Sequence, residues 1–229
     1  MLSPEMNDKL RALHSDAGSG LDGCAALLGM DHLVVSLSLG DQVTEQLWSS
    51  SRISADFEDL QFTLGEGPGP DALRTRRLVL EHDVAAVDAE RWPALIPAMS
   101  RLPIQAVFCL PLSLGGITVG VLTGLRASPG HMSGQETDDA LGLAAALTLQ
   151  LLCDGRPPED ELHRAAVHQA TGMLSVQLAL PLSEALLRLR AYAYSHDRSI
   201  VEAAEDVVSR RLRLDDDDPE PESPKETRG

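Results

Sequence analysis

The chain has 229 residues, 43% of them hydrophobic, and a formal net charge of −16 at pH 7. That length allows one large or two small domains, the apolar fraction is ordinary for a globular protein, and the acidity is an odd balance for any surface that holds nucleic acid through charge alone. Cys24, Cys109 and Cys153 are too few and too scattered for a disulfide framework or a CxxC metal site.

The opening residues lack the apolar core of a signal peptide. No run of about twenty apolar residues exists to span a membrane. The chain therefore reads as cytoplasmic, with reduced thiols. Residues 5–28 read as helix with a weak point at 18–20, followed by an apolar strand at 32–39. Gly40–Asp41 is a hairpin signal, and the partner strand places Val43, Glu45, Leu47 and Ser49 on one face. A short helix at 55–62 leads to GEGPGP (65–70), a loop on composition. Asp71 can cap a helix over 72–77, a brief strand follows at 78–83, and WPALIPAMSRL looks helical despite Pro97.

A second hairpin follows, with strands at 106–112 and 117–125 around the turn Leu114–Gly115–Gly116. Residues 133–152 form a long helix with Thr137, Leu141, Ala144, Thr148 and Leu152 down one side. Pro157–Pro158 and the acidic residues 159–161 mark a bent or hinged joint.

Three helical periods then occupy 162–214. In the first, Leu162, Ala166, Ala170 and Met173 or Leu174 share one face, while Arg164, His168, Thr171 and Ser175 form a polar stripe on another. Gly172 costs about 1 kcal/mol against Ala in mid-helix, which suggests a close approach to the backbone. Pro181 opens the second helix; Ala185 or Leu186, Leu189 and Ala193 are its buried line, with Arg188, Arg190 and Tyr192 facing elsewhere. Ser199 and Glu202 make a capping box for the third, whose apolar stripe is Ile200, Ala203, Ala204, Val207 and Val208. Arg210, Arg211 and Arg213 gather at its end. Residues 159–214 hold 7 basic and 8 acidic side chains, the least acidic part of the chain. The tail 215–229, DDDDPEPESPKETRG, is expected to be disordered.

The residues Ala170, Gly172, Leu174, Glu184, Ala185, Leu189, Arg190, Ala193, Arg198, Ala204, Val207 and Val208 resemble the ANTAR domain. ANTAR domains are three-helix modules of bacterial antiterminators that bind paired stem-loops in nascent leader RNA. Many members have Lys where this chain has Thr171. LQFTLGEGPGPDALRT, RWPALIPA and FCLPLSLGGITVGVL resemble a GAF domain, in the version placed before ANTAR domains in actinobacterial regulators. GAF domains are ligand-sensing and usually dimeric. Relatives often carry a cysteine where this chain has Gly69.

The resemblances imply a helical segment at 1–26, an α+β GAF domain at 27–153, a linker at 154–160, an all-α RNA-binding domain at 161–214 and a tail at 215–229. The expected RNA contacts are Arg164, His168, Gln169, Thr171, Gly172, Ser175, Arg188, Arg190 and Arg198. Arg190 and Arg198 can instead pair with Glu202 and Asp206, and Tyr192 and Tyr194 can be stacking platforms or core. A homodimer through the GAF domain and its long helix, an unidentified small-molecule signal, no cofactor, no metal and no enzymatic activity complete the expectation. The rival readings are a DNA-binding regulator and a GAF-based redox or small-molecule sensor acting through protein partners. The tail could also mimic phosphate and cover the RNA face.

Overall fold

The sheet follows from the alternation of its strands. In the computed structural model the described residues are 2–13, 21, 23–38, 44–154, 164–196 and 198–214. The weak point at 18–20, the Gly40–Asp41 turn, the Pro157–Pro158 joint and the tail lie outside them. Helices α1 (Pro4–Leu13) and α2 (Cys24–Leu27) precede strands β1 (His32–Ser38) and β2 (Thr44–Ser49). Next come α3 (Arg52–Leu64), α4 (Pro68–Thr75), β3 (Val79–Glu81), a short turn of helix at Val84–Ala86 and α5 (Leu95–Met99). The hairpin β4 (Ala106–Leu114) and β5 (Ile117–Arg126) and the long helix α6 (Gly134–Asp154) complete the first of two compact units, Met1–His163.

All five strands pair antiparallel in the order β2-β1-β5-β4-β3. Successive strand side chains point to opposite faces, and β4 is buried on both. Phe108, Leu110 and Leu112 join Met6, Leu28, Leu33, Leu122 and Leu143 in the core under α1, α2 and α6. Val107 and Cys109 join Phe57, Ala72, Trp92, Leu95, Val121 and Leu125 under α3, α4 and α5. Gly120 is required by this arrangement, because a Cβ there would collide with the Ser36 carbonyl oxygen on β1.

Three expectations change. GEGPGP is not all loop: Gly67, at φ 136°, precedes the helix, and α4 begins at Pro68. Proline fits a first turn because it lacks only an N–H that would be unpaired there. Asp71 consequently lies inside α4 and caps nothing. Of the expected helix at 5–28, the described residues include α1 and α2, with Gly23 at φ 80° before α2. On α6 the buried row is Ala140, Leu143, Ala144, Leu147 and Thr148. Leu141 and Leu152, expected on the same side as Ala144 and Thr148, are 45% and 39% exposed. A Ser133–Glu136 capping box starts this helix, with Ser133 N donating to Glu136 Oε2 at 2.6 Å and Glu136 N to Ser133 Oγ at 3.2 Å.

The second unit, Arg164–Gly229, contains α7 (Ala165–Leu178), α8 (Leu182–Ser195) and α9 (Ile200–Val208). Its core joins Val167, Ala170 and Leu174 to Ala185, Leu186, Leu189 and Ala193 and to Ile200, Ala203, Ala204 and Val207. Ala166 is only half-buried, and the buried row of α7 includes Thr171. Pro181 stands just before α8, not as its first helical residue. The capping box of α9 forms as read, with Glu202 N donating to Ser199 Oγ at 3.1 Å and Ser199 N to Glu202 Oε2 at 3.3 Å.

Asp206 closes the chain after α9. Its carbonyl accepts the amides of Arg211 (2.8 Å) and Leu212 (3.0 Å), and its carboxylate bridges Arg198 Nη2 and Arg211 Nε, each at 2.7 Å. Hydrogen bonds from Arg198 and then Arg211 hold that carboxyl below the usual carboxylate range. A depressed carboxyl stabilises the fold above its ordinary range, and the contribution is lost as pH falls through the lowered value.

Gly120→Ala should lower the denaturation midpoint by the equivalent of about 1–3 kcal/mol, while Gly116→Ala, with open space around it, should not; equal midpoints would remove the close-approach argument. Asp206→Asn should lower the melting temperature at neutral pH, and the difference from the parent should fade as pH falls below the ordinary carboxylate range. A pH-independent difference in calorimetry would show that the charge is not what Asp206 contributes.

Candidate functional site

In the first unit, polar side chains lock the segment 65–75 against the helices around it. Glu66 accepts the amides of Ala94 (2.7 Å) and Leu95 (2.8 Å) at the start of α5. Gln61 accepts the Gly69 amide at 2.8 Å and donates to Glu58 at 3.1 Å. Asp71 takes Trp92 Nε1 at 3.2 Å and pairs with Arg74 at 2.6 Å. Gly69 faces this network directly: a Cβ there would stand 3.1 Å from the Gln61 amide group, so a larger residue requires that amide to give way.

The sheet beneath is apolar but interrupted by Ser36, Thr123 and Cys109, all buried. Ser36 Oγ has no hydrogen-bond partner among the described residues. Cys109 Sγ lies 3.4 Å from Thr123 Oγ1. Burial pushes this thiol far above its ordinary range, against the Thr123 hydrogen bond and reinforced by the Glu58, Glu81 and Asp71 carboxylates. A thiol held protonated is a poor nucleophile. Cys24 is also buried and Cys153 is exposed.

At the far end of β5 an open cleft of about 590 Å³ is lined by Gly29, Asp31, Arg126, Ser128, His131, Met132, Ser133 and Glu136. Arg126 organises it. The guanidinium donates to Gly29 O (2.5 Å), His131 O (3.1 Å) and Leu28 O (3.4 Å), and pairs with Glu136 at 3.2 Å. Burial raises the Glu136 carboxyl, but the Ser133 amide and hydroxyl and the Arg126 charge outweigh it and hold the group low. His131 lies against His82, with ring centroids 3.9 Å apart and the planes tilted by 38°. His82 is pushed down by burial, then by the His131 and Arg126 charges, against Glu81. Among the described residues no group of three or more His, Cys, Asp or Glu could hold a metal ion.

In the helical unit the nine expected contacts do not form one surface. Arg164 is fully buried, and Arg190 is 9% exposed rather than facing outward. Both guanidinium stems are long enough to lie along an apolar core. Burial, then the nearby Arg164 charge, lowers Arg190 to about 10. Thr171 is buried and donates to Val167 O at 2.7 Å. Ser175 donates to Leu180 O at 2.7 Å and closes the turn between α7 and α8, where Ala179 takes φ 55°. Arg164, Thr171 and Ser175 therefore belong to the interior and the turn, which breaks the polar stripe. His168 is half-buried and Gln169 exposed. Gly172 meets nothing: no heavy atom lies within 4 Å of the Cβ position, so no described part of the chain makes the expected close approach.

Arg188 and Arg198 remain at the surface, and the structure adds neighbours to them. Arg188, Tyr192 and His196 recur at four-residue spacing along α8. The Tyr192 and His196 rings stack at 4.0 Å and 22°, and the imidazole is fixed by Tyr192 O and Ser195 Oγ, each 2.9 Å from Nδ1. Arg198 folds back beside them: its amide donates to Ala193 O at 2.9 Å. Its guanidinium is raised first by the hydrogen bond it donates to Asp206, and further by one to Tyr192. The Arg198 side chain is 34% exposed and Arg211, across Asp206, is 66% exposed. Neither tyrosine is core, since Tyr192 is half-buried and Tyr194 is 63% exposed. The Arg198–Asp206 pair was among the alternatives in the sequence and forms; His196 and the second arm of the bridge, Arg211, were not read as part of a site. The four-residue spacing could have found His196, whereas the Asp206 bridge depends on the chain reversing after α9.

Among the described residues no single helix is long and apolar enough to cross a membrane. No curated protein matches the chain. Solved structures do. The GAF domain of a phosphoenolpyruvate-protein phosphotransferase from Coxiella burnetii matches at 15% identity and TM-score 0.50, covering 64% of this chain and 92% of that one. The corresponding domain from Acinetobacter gives 16% and 0.48, with coverage of 69% and 100%. A phycocyanobilin-bound GAF domain from a cyanobacterial phytochrome gives 14% and 0.49, with coverage of 66% and 95%. Identities this low speak to the fold alone. The family model of the GAF domain, a signal-sensing domain, matches residues 20–151. That match spans more than half of the chain, and the five-stranded antiparallel sheet with helices on both faces agrees with it: the chain belongs to the GAF domain family.

Proposed function

We propose that the chain is a signal-responsive RNA-binding regulator. In this reading the GAF domain takes an unidentified small-molecule signal, and the helical unit binds stem-loops in leader transcripts to permit read-through transcription. The observation that carries the RNA half is the stacked Tyr192–His196 pair, flanked by Arg198 and Arg211 at the surface. Aromatic faces stack on splayed loop bases, and arginines add phosphate contact or stacking of their own. This suits a segment whose 7 basic and 8 acidic side chains supply little net attraction. The likeness of residues 170–208 to ANTAR domains supports the same reading. No helix of the unit carries the Arg/Asn/Gln-rich face that base-edge readout in a major groove uses, which disfavours DNA.

A paired RNA target suits two copies of the chain, and α6 offers a face for the second. Residues 140–153 contain no charged side chain, yet Leu141, Leu149 and Leu152 are 45%, 53% and 39% exposed. Ala145 lies between them at the surface. An uncharged row of leucines alternating with a small residue is complementary to itself, as a twofold interface requires. No redox step is assigned to the sensory unit, whose Cys24 and Cys109 are both buried.

In gel shifts at stated salt, the parent should retard a tandem stem-loop RNA and not a duplex DNA of equal length. His196→Ala and Arg198→Ala should each weaken RNA binding by about tenfold, the scale of one lost stacking or charged contact. Preference for the duplex would replace RNA by DNA, and wild-type affinity in both variants would move the surface elsewhere. For the second copy, sedimentation of the parent should show a dimer and Leu149→Glu a monomer. A monomeric parent would end the α6 assignment.

A further inference from the structure

Two histidines from separate elements meet at the end of the sheet. We propose that the His82–His131 ring pair is a proton-operated latch. Uncharged, the rings hold residues 127–132 against the sheet; protonation in the weakly acidic range parts them and opens the cleft beside Arg126. The latch does not depend on what the helical unit binds.

Geometry makes the contact sensitive to charge. His82 directly follows β3, and His131 lies two residues before Ser133, which caps α6. Their ring centroids are nevertheless only 3.9 Å apart. Neutral rings pack at that distance, whereas two imidazolium ions disfavour each other. His82 also packs on Phe108, at 5.7 Å and 51°. Arg126 stands over the same phenyl ring at 5.1 Å, so a permanent positive charge already faces the pair. His82 Nδ1 is buried and has no hydrogen-bond partner among the described residues. A proton added there meets no acceptor, and an unsatisfied buried donor is costly.

The carboxylates near the pair are each engaged already. Glu81, beside His82, pairs with Arg91 at 2.6 Å. Asp31 accepts the Ala127 amide at 2.7 Å, and Glu136 is held by the Ser133 amide and Arg126. Burial first, then the His131 and Arg126 charges, hold the His82 ring below the usual histidine range, against Glu81. A proton therefore binds the parted rings more tightly than the paired ones. By linkage, parting becomes more favourable as pH falls from the ordinary histidine value through the lowered one.

The segment that moves is short. His131 is exposed and His82 half-buried, so His131 is the ring that leaves. Gly130 N donates to the His82 carbonyl at 2.8 Å, and Arg126 Nη1 donates to His131 O at 3.1 Å. Both ties lie beside the ring pair and loosen with it. Ser128, His131 and Met132 line the cleft of about 590 Å³, which widens when His131 withdraws.

Hydrogen exchange of the full chain at about pH 7.5 and about pH 5.5 tests the latch across the range where histidine changes charge. Rates are corrected for their intrinsic pH dependence, and the Gly130 amide is the reporter because its acceptor is the His82 carbonyl. In the parent, residues 127–132 should open about fivefold more often at the lower pH, the small end of a typical coupling, with the β4–β5 turn unchanged. His131→Phe keeps a ring that takes no proton, so its segment should stay closed at both values. His131→Ala should open at both. In ¹H–¹³C spectra of the parent, the His82 ring should titrate together with the Gly130 amide shift, below the ordinary histidine value. Equal opening of the parent at both pH values overturns the latch. A pH response that survives in His131→Phe belongs to another group and overturns it too. So does an alanine variant as well protected as the parent at neutral pH, since the ring contact then holds nothing.

Discussion

The β4–β5 hairpin must serve two cores at once, and the sensory unit depends on that constraint. Its side chains alternate between a layer under α1, α2 and α6 and a layer under α3, α4 and α5. A one-residue slip in pairing would exchange the two sets and put Phe108 where Cys109 belongs. Gly120 fixes the neighbouring register from the other side, since only a residue without Cβ can pass the Ser36 carbonyl. The two layers differ in chemistry as a result. One has Asp139 and Thr148 of α6 among its buried polar side chains, and the other includes Ser36, Thr123, Glu58 and Gln61. Buried polar groups are costly unless they are hydrogen-bonded.

The helical unit works from a smaller core and therefore from fewer redundant contacts. Leu174 and Leu189 are fully buried and Val207 nearly so, and Asp206 secures the chain where α9 ends. The same carboxylate sets the spacing of Arg198 and Arg211. One residue thus secures the end of the chain and fixes two arginines beside each other.

How much of this could be read without coordinates depended on how local the signal was. The second hairpin and the Ser199–Glu202 box were legible because two glycines or a four-residue pattern decide each within one turn of chain. The start of α4 was not. Composition made GEGPGP a loop, and the preference of proline for a first helical turn was overlooked at Pro68. Periodicity misled at α7, where Arg164 and Thr171 sit at the spacing of a solvent face yet are buried. A 3.6-residue period locates faces but cannot say which face the neighbouring helices cover. The same limit applied on α6, where Leu141 reads as core and is exposed. Of the expected site, Arg188 and Arg198 stand at the surface; His196 and Arg211 join it through contacts that only the folded chain creates.

Arg126 has a mechanical consequence. One guanidinium at the last residue of β5 grips the carbonyls of Leu28, Gly29 and His131 and the Glu136 carboxylate in the first turn of α6. The end of the sheet and the base of the longest helix are thereby welded at a single node. Whatever disturbs this guanidinium therefore reaches the last residue of β5 and the root of a 21-residue helix together.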